Sequence, residues 1–337
     1  RDGLVTGVQT CALPIFSNRI VFPPIASEKY SSQKEELSQL FENYRGLSSS
    51  GIGTLIVEHS YINPVGQFSP KQISVASDDT IDFHRQLARL IKKQGVLSAL
   101  QINHAGAHCL PSMNTNPAKG PSAIRLNPGE VRVEALSLKE IHETVEDFAA
   151  AASRAYQASY DMVEIHAAHG FLISQFLSPL TNHRTDAYGG DLKQRMRFLL
   201  EVLEAVKSTL PSEMILAVRL GISDHSPGQK LHESSYTVDE GLKVAKTLQE
   251  KGIDLLDISG GMCGSRPASV SGEGYFIPYA QAIKQSGINT PIVITGGFRS
   301  LEAIELAIEQ NDADFVGVGR ALWENPEWLK EEKKNAK

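Results

Sequence analysis

Short apolar runs rich in β-branched residues alternate along the chain with longer segments of helical periodicity. Eight of these runs have the length and composition of buried parallel strands, and they lie at residues 19–22, 55–58, 97–102, 162–166, 216–220, 255–259, 292–295 and 315–318. Apolar residues recur at helical spacing between them, in segments 34–45, 81–93, 138–158, 196–210, 238–251, 278–286, 301–310 and 326–334. This alternation predicts an α/β protein with a parallel sheet covered by helices.

Eight strand–helix units predict a single (β/α)₈ TIM barrel, which we assign to residues 16–337. The competing fold is an open doubly wound sheet, which usually carries a glycine fingerprint after its first strand. Residues 23–26 read PPIA there, without that fingerprint. Long polar stretches at 60–80, 105–134 and 177–193 each follow a strand. In a barrel they would lie over the carboxyl ends of the strands, where active sites are built.

Charge and cysteine content narrow the classes of function. The 337 residues include 33 Lys and Arg against 39 Asp and Glu, which gives a net charge of −6. This mild acidity argues against a nucleic acid or an anionic membrane as partner. The 3 cysteines are too few and too scattered for a disulfide framework, which fits a reducing cytoplasm. No apolar run approaches the roughly 20 residues that a membrane span needs, so we expect a cytoplasmic enzyme with a small-molecule substrate.

Glycine-rich turns follow the last two predicted strands. Residues 295–300 read TGGFRS, and residues 317–320 read GVGR. Glycine lets backbone N–H groups approach an anion closely, and the loops after strands seven and eight of such barrels commonly bind phosphate. The glycines could instead serve tight turns alone. Two such loops, with the charges of Arg320 and Arg299, favour a phosphate site.

Two histidines end the fourth predicted strand. His166 and His169 lie in the sequence HAAHG, which would direct both towards the barrel mouth. A pair of imidazole donors there can polarise a carbonyl or bind an oxyanion. A zinc site is less well supported, because the spacing is not that of His-Glu-x-x-His and no third ligand stands out. We therefore predict no metal.

Polar side chains within other strands indicate what faces the barrel mouth. Arg219 lies inside a strand, where a charge is costly unless an anion or an electron-rich ring faces it. Gln101 can both donate and accept hydrogen bonds, which suits the amide edge of a heterocycle. Together with the phosphate site, these residues predict a phosphorylated planar cofactor. These residues do not distinguish flavin from pyridoxal phosphate, although no strand-end lysine offers itself for a Schiff base.

Three stretches of the chain resemble the Old Yellow Enzyme family of FMN-dependent ene-reductases, which are NADH:flavin oxidoreductases. They are residues 18–24 (NRIVFPP), residues 163–170 (VEIHAAHG) and residues 175–190, which contain QFLSP and NHRTDAYGG. The resemblance implies a barrel with tightly bound FMN, and NADH or NADPH as electron donor. It implies that activated C=C bonds, such as those of enones, are reduced. Family members commonly pair, so the resemblance is compatible with a homo-oligomer, and the sequence leaves the oligomeric state open.

The resemblance implies roles for individual residues. Ser60 would lie near the flavin ring, and Arg219 would sit beside N1 and the C2 carbonyl. His166 and His169 would bind the carbonyl oxygen of the substrate, so that hydride from flavin N5 reaches the β-carbon. Tyr30 and Phe171 would line the substrate pocket. The full set of expected cofactor contacts is Pro24, Ile25, Ala26, Ser60, Gln101, Arg219, Gly297, Gly319 and Arg320.

The chain departs from the family pattern at three places. The family usually has tyrosine directly after His-x-x-His-Gly, whereas Phe171 has no proton to give. Water, Tyr30 or Cys109 would have to supply that proton. Ala26 cannot make the hydrogen bond to flavin that threonine or cysteine makes in other members. Residues 1–15 match nothing expected before the first strand and do not begin with methionine, so we expect them to be a non-native leader.

These departures keep alternatives open beside the ene-reductase. One is an FMN-dependent dehydrogenase or a double-bond isomerase, neither of which needs the tyrosine proton. The other is an FMN-binding protein without ene-reductase turnover.

Overall fold

Parallel strands close into a barrel in the computed structural model, which describes residues 16–27, 34–109, 117–124, 132–230 and 234–335. The strands are β1 (Ile20–Phe22), β2 (Thr54–Tyr61), β3 (Leu97–Asn103), β4 (Ala118–Gly120), β5 (Val133–Ala135), β6 (Met162–Ala167), β7 (Ile215–Gly221), β8 (Leu255–Ser259), β9 (Ile292–Thr295) and β10 (Phe315–Gly317). The barrel order is β1-β10-β9-β8-β7-β6-β3-β2, and β4 and β5 form a separate parallel pair. The predicted TIM barrel is therefore confirmed.

Helices connect successive barrel strands. They are α1 (Lys34–Ser48), α2 (Ile81–Lys92), α3 (Leu138–Gln157), α4 (Leu172–Leu177), α5 (Leu192–Arg195), α6 (Arg197–Thr209), α7 (Val238–Glu250), α8 (Ile277–Gln285), α9 (Leu301–Glu309), α10 (Arg320–Glu324) and α11 (Trp328–Asn335). None of the helices in the described ranges is both long enough and apolar enough to cross a bilayer.

Local sequence sets where the helices begin. Ser137 accepts a hydrogen bond from the backbone of Glu140, and the Glu140 side chain accepts one from the backbone of Ser137, which starts α3 with a capping box. Thr237 and Ser300 cap α7 and α9 with a single hydrogen bond each, their hydroxyl groups accepting from the backbone of Glu240 and Ala303. These caps fix the residues at which α3, α7 and α9 begin. The local sequence therefore sets where these three helices start after the preceding loops.

Strand alternation divides the core into two layers. Ile20, Leu55 and Val57 point outward into the layer between strands and helices. The alternate positions fill the barrel interior, where Phe16 packs on Phe315 with ring centroids 4.6 Å apart. The interior layer comprises Phe16, Val21, Ile56, Leu97, Ala99, Met162, Ile215, Ala217, Leu255, Val293 and Phe315. This apolar packing occupies the amino-terminal half of the barrel and leaves the polar strand ends at the other mouth.

All eight predicted barrel strands are present, with ends that differ by at most a few residues. The β4–β5 pair and the short helices α4 and α5 were not predicted, because each is only 3 to 6 residues long and carries no readable periodicity. The proposed leader, residues 1–15, and Tyr30 lie outside the described residues.

Candidate active site

A cavity of about 380 Å³ opens at the carboxyl ends of the barrel strands. Its size is typical of a pocket for a small molecule, for which about 300–1,000 Å³ is usual. Most of the residues predicted from the sequence meet in its wall. They are Pro24, Ile25, Ala26, Gln101, His166, His169, Phe171, Arg219, Gly297, Gly319 and Arg320.

Ser60 is the exception among the predicted cofactor contacts that the structure describes. Its hydroxyl donates to the backbone oxygen of Glu58 at 3.2 Å, and the side chain is buried away from the cavity. His59 lines the cavity in its place. The pairing of β2 with β3 shifts register between Val57 and Ser60, so simple alternation does not say which side chain faces the mouth.

The loop after β1 is held across the mouth by a buried carboxylate. The backbone N–H and the hydroxyl of Ser27 both donate to Glu58, each at 3.0 Å. Glu58 is 2% exposed and also accepts from the Tyr44 hydroxyl at 3.4 Å. Pro24, Ile25 and Ala26 precede Ser27, so this anchor fixes the backbone that borders the cavity.

Buried charges lie beneath the cavity, inside the strands. The Arg219 Nε lies 3.3 Å from Asp257 Oδ2, and the Gln101 Nε2 donates to Glu164 Oε2 at 2.6 Å. Burial, followed by the charge of Asp257, raises the pKa of Glu164. Burial also raises the pKa of Asp257, although Arg219 opposes this. Arg219 and Gln101 thus have their positions fixed from below while their remaining donors face the cavity.

His166 and His169 contact each other at the mouth. The His166 Nε2 and the His169 Nδ1 are 3.1 Å apart, and the His169 Nε2 lies 2.8 Å from the Ser259 hydroxyl. His169 adopts a left-handed backbone with φ of 59°, and Gly170 follows with φ of 71°. A non-glycine residue in this region is strained, which is a common feature of functional sites.

Both histidines of this pair are neutral near pH 7. Burial is the largest cause that lowers each pKa well below its usual range, and the nearby Arg219 adds to it. A hydrogen bond between two neutral imidazoles uses one donor and one acceptor. Because one N–H of the pair is used between His166 and His169, the pair offers fewer N–H donors to the cavity than two imidazoles that do not contact each other.

Phe171 lies in an aromatic wall beside the histidines. Its ring centroid is 4.7 Å from that of His166, 5.3 Å from that of His59 and 5.5 Å from that of Phe68. Cys109, one candidate for the missing proton donor, does not line this cavity. Its thiol donates to the Val65 backbone oxygen at 2.9 Å, and burial raises its pKa to about 12. The structure therefore contradicts Cys109 as the donor.

Arginines gather at the opposite end of the cavity. Arg320 begins α10 and makes no hydrogen bond or ion pair within the described part of the chain. Arg299 also lines the cavity but is paired with Glu324 at 3.1 Å. A Cβ atom on Gly297 would come within 2.5 Å of a backbone oxygen, and one on Gly319 within 2.9 Å of Ile25. These glycines are thus required by the chain's own packing, and Arg320 is the stronger sign of an anion site.

Orphaned polar atoms test whether the wall suits a phosphorylated planar cofactor. Buried atoms of Arg219 (Nε), His166 (Nδ1) and Thr295 (Oγ1) make no hydrogen bond to any residue that the structure describes, and all three residues line the cavity. Buried polar groups in native proteins are nearly always hydrogen-bonded. A polar ligand between Arg219 and the Arg320 end would supply partners, so the wall fits such a cofactor. No three His, Cys, Asp or Glu side chains in the described ranges are arranged to hold a metal.

Several wall residues had no assigned role from the sequence. They are Pro23, His59, Phe68, Ser265, Arg266, Tyr275, Thr295 and Phe298. His59 lies in β2 and Thr295 ends β9. The others come from loops, whose course no periodicity predicts; among them, Tyr275 donates its hydroxyl to the Ser265 backbone oxygen at 2.8 Å. Arg299, expected to add charge at the phosphate site, also lines the cavity.

The chain is similar to a known protein family and to individual proteins. A family model described as NADH:flavin oxidoreductase / NADH oxidase matches residues 14–337. The NADPH dehydrogenase of Clostridium acetobutylicum is 36% identical over 312 residues, covering 92% of this chain and 88% of that protein. The NADH oxidase of Thermoanaerobacter brockii is 32% identical over 325 residues, covering 95% of this chain and 49% of that protein. The chain thus spans about half of one relative and most of the other.

Solved structures agree with the barrel. The Old Yellow Enzyme homologue of Zymomonas mobilis superposes with a TM-score of 0.81 at 23% identity, covering 99% of this chain and 93% of that one. At this level of identity the likeness concerns the fold alone.

Proposed function

The chain belongs to the NADH:flavin oxidoreductase / NADH oxidase family, as its resemblance to Old Yellow Enzyme predicted, and we propose that it is an ene-reductase. As a member, it is an FMN-dependent oxidoreductase with NADH or NADPH as electron donor. The proposal concerns the acceptor, which we take to be an electron-poor C=C bond such as that of an enone. The observation that carries it is the neutral histidine pair in the same cavity wall as Gln101 and Arg219.

The two ends of the cavity suit the two ends of FMN. Arg320 would hold the phosphate with its free guanidinium, and backbone N–H groups near Gly297 and Gly319 would add donors. Gln101 and Arg219 would hold the pyrimidine edge of the ring, and the positive charge of Arg219 favours negative charge there. When bound, FMN supplies the hydride, which it receives from NADH or NADPH.

His166 and His169 would act on the carbonyl of the substrate. A donor N–H on its oxygen withdraws electrons from the conjugated alkene and stabilises the negative charge that develops as the β-carbon is attacked. Because the two rings share a hydrogen bond at 3.1 Å, binding of a carbonyl would compete with that contact. Ser259 then holds His169 by its other nitrogen, at 2.8 Å.

The α-carbon needs a proton that Phe171 cannot give. We propose that water in the open cavity donates it, since the described wall places no tyrosine hydroxyl beside Phe171. The same observation favours a second candidate function, a redox-neutral double-bond isomerase, which does not need a tyrosine to supply the proton.

We further propose that the protein is cytoplasmic, because Cys109 and Cys263 are free thiols.

Steady-state oxidation of NADH and NADPH without oxygen, with and without 2-cyclohexenone, tests this proposal. Oxidation that depends on the enone is expected in the wild type, and it should fall on the order of 10²–10³-fold in the His166→Ala/His169→Ala variant. FMN content should be unchanged in that variant, because the pair lies away from Arg320. Unchanged enone reduction in the double variant would contradict the role of the pair. Reduction of the FMN by NADH or NADPH with no turnover of the enone would contradict the ene-reductase and favour the isomerase, which consumes no nicotinamide cofactor.

A further inference from the structure

His59 brings a third imidazole into the cavity wall, and neither the sequence nor the proposed mechanism gave it a role. It lies near the end of β2 and is 6% exposed. Its ring centroid is 5.9 Å from that of His166 and 5.3 Å from that of Phe171. It therefore sits on the substrate side of the cavity, at a point separate from the His166–His169 pair.

Two side-chain amides determine where the proton of His59 lies. The Nε2 of Gln72 donates to the His59 Nδ1 at 2.7 Å, and the Nδ2 of Asn103 donates to the same atom at 3.2 Å. The orientation of the Gln72 amide is itself fixed, because its Oε1 accepts from the backbone of Phe68 at 2.6 Å. The Gln72 Nε2 also donates to the His59 backbone oxygen at 3.1 Å. An Nδ1 that accepts from amides carries no proton.

The remaining ring nitrogen must then be the donor. A neutral imidazole has one N–H and one acceptor nitrogen. Burial, assisted by the charge of Arg219, lowers the pKa of His59 to about 4, so the ring is neutral near pH 7. Its proton is on Nε2, which has no hydrogen-bond partner among residues 16–27, 34–109, 117–124, 132–230 and 234–335. A preorganised N–H that faces a cavity is a site for an acceptor atom of a ligand.

We propose that His59 is a third hydrogen-bond donor for the substrate, acting at a point separate from the His166–His169 pair. Gln101 and Arg219 do not compete for this role, since the proposed function places their donors on the pyrimidine edge of FMN. A substrate with one carbonyl can use only one of the two donor points. The enzyme therefore favours activated alkenes with an acceptor oxygen on both sides of the C=C bond, such as 2-ene-1,4-diones and cyclic imides. This substrate class rests on the proposed ene-reductase function, whereas the donor role of His59 does not.

Binding of two inert probes to the oxidised FMN-loaded protein tests the proposal without turnover. Succinimide carries carbonyls on both sides of its ring, and 2-pyrrolidinone carries one. Since one net hydrogen bond contributes a factor of about 3 to 10 in affinity, the wild type should bind succinimide tighter by that factor. His59→Phe keeps the ring but removes the donor, so its preference should fall to within about twofold. His142→Phe, the same change at an exposed histidine of α3 outside the cavity wall, should keep the preference. Retention of the preference in a folded, FMN-loaded His59→Phe protein would overturn the proposal.

A second measurement does not depend on the variant folding. In wild-type protein labelled with ¹⁵N in histidine, the His59 side chain should show the neutral tautomer with the proton on Nε2, and succinimide should shift that signal. Assignment uses His59→Phe or, if that protein does not fold, His59→Gln. A proton on Nδ1, or an Nε2–H signal that succinimide leaves unmoved, would overturn the proposal. Neither probe binding nor the His59 tautomer depends on enone reduction. A failure of the proposed ene-reductase function can therefore be told apart from a failure of the donor role of His59.

Discussion

Replacement of Phe171 by tyrosine tests where the proton for the α-carbon comes from. The Phe171 ring packs at 4.7 Å from His166 and 5.5 Å from Phe68, yet the residue is only partly buried and lines the cavity. A para-hydroxyl would therefore extend into the cavity instead of the packed core. We expect the change to leave folding and FMN content unaffected.

General acid catalysis typically contributes about 10²–10⁴-fold, which corresponds to about 2.7–5.4 kcal/mol of barrier. Because the cavity is open and water can already donate, Phe171→Tyr should gain less than this range, about 10- to 100-fold. Only the step that protonates the substrate should change. Reduction by NADPH should stay within about twofold, since no proton passes to the α-carbon in that half-reaction.

Rapid-mixing kinetics of the two half-reactions measure this directly, with 2-cyclohexenone as oxidant. Phe68→Tyr is the matched control, because it adds a hydroxyl to the same aromatic wall beside Phe171. It should not accelerate enone reduction. If the wild type already reduces the enone rapidly and Phe171→Tyr changes nothing, another residue supplies the proton and the reasoning fails.

Other predictions concern the anion site and the buried carboxylates. Arg320→Ala should weaken FMN binding about 10- to 150-fold, since a charge-assisted hydrogen bond contributes about 1.5–3 kcal/mol; Arg299→Ala should weaken it less, because Arg299 is already paired with Glu324. Equilibrium dialysis distinguishes the two, and equal losses would refute the assignment. Because burial raises the pKa of Glu164, the folded protein binds that proton more tightly than the unfolded chain, and this stabilisation is lost as pH rises towards the folded pKa. Glu164→Gln should therefore gain in melting temperature relative to the wild type between about pH 5 and about pH 9, and a constant difference would contradict the raised pKa.

The barrel was predictable because its signal is distributed over the whole chain. Each strand needs only a short apolar run, and each helix only its periodic face, so errors of a residue or two leave the topology unchanged. The same holds for Arg219 and Gln101, whose polar side chains in apolar strands are conspicuous in the sequence.

Details of the site depend on features that the sequence pattern does not carry. Every residue of β2 from Thr54 to Ser60 is buried, so no polar face shows which side chains point inward, and the register shift after Val57 exchanges Ser60 for His59. The tautomer of His59 depends on Gln72, which lies on a loop 13 residues away. Loop contacts of this kind follow from tertiary packing and not from local periodicity.

An anaerobic single turnover of the FMN-loaded protein tests whether the enzyme transfers hydride to an activated alkene. NADPH deuterated at the transferred position, one equivalent, is added together with 2-cyclohexenone, so that the label passes to the alkene before the flavin N–D exchanges with water. Reoxidation of the flavin should yield one equivalent of cyclohexanone that carries deuterium at the β-carbon. A flavin that is reduced by NADPH but stays reduced in the presence of the enone would contradict the ene-reductase assignment.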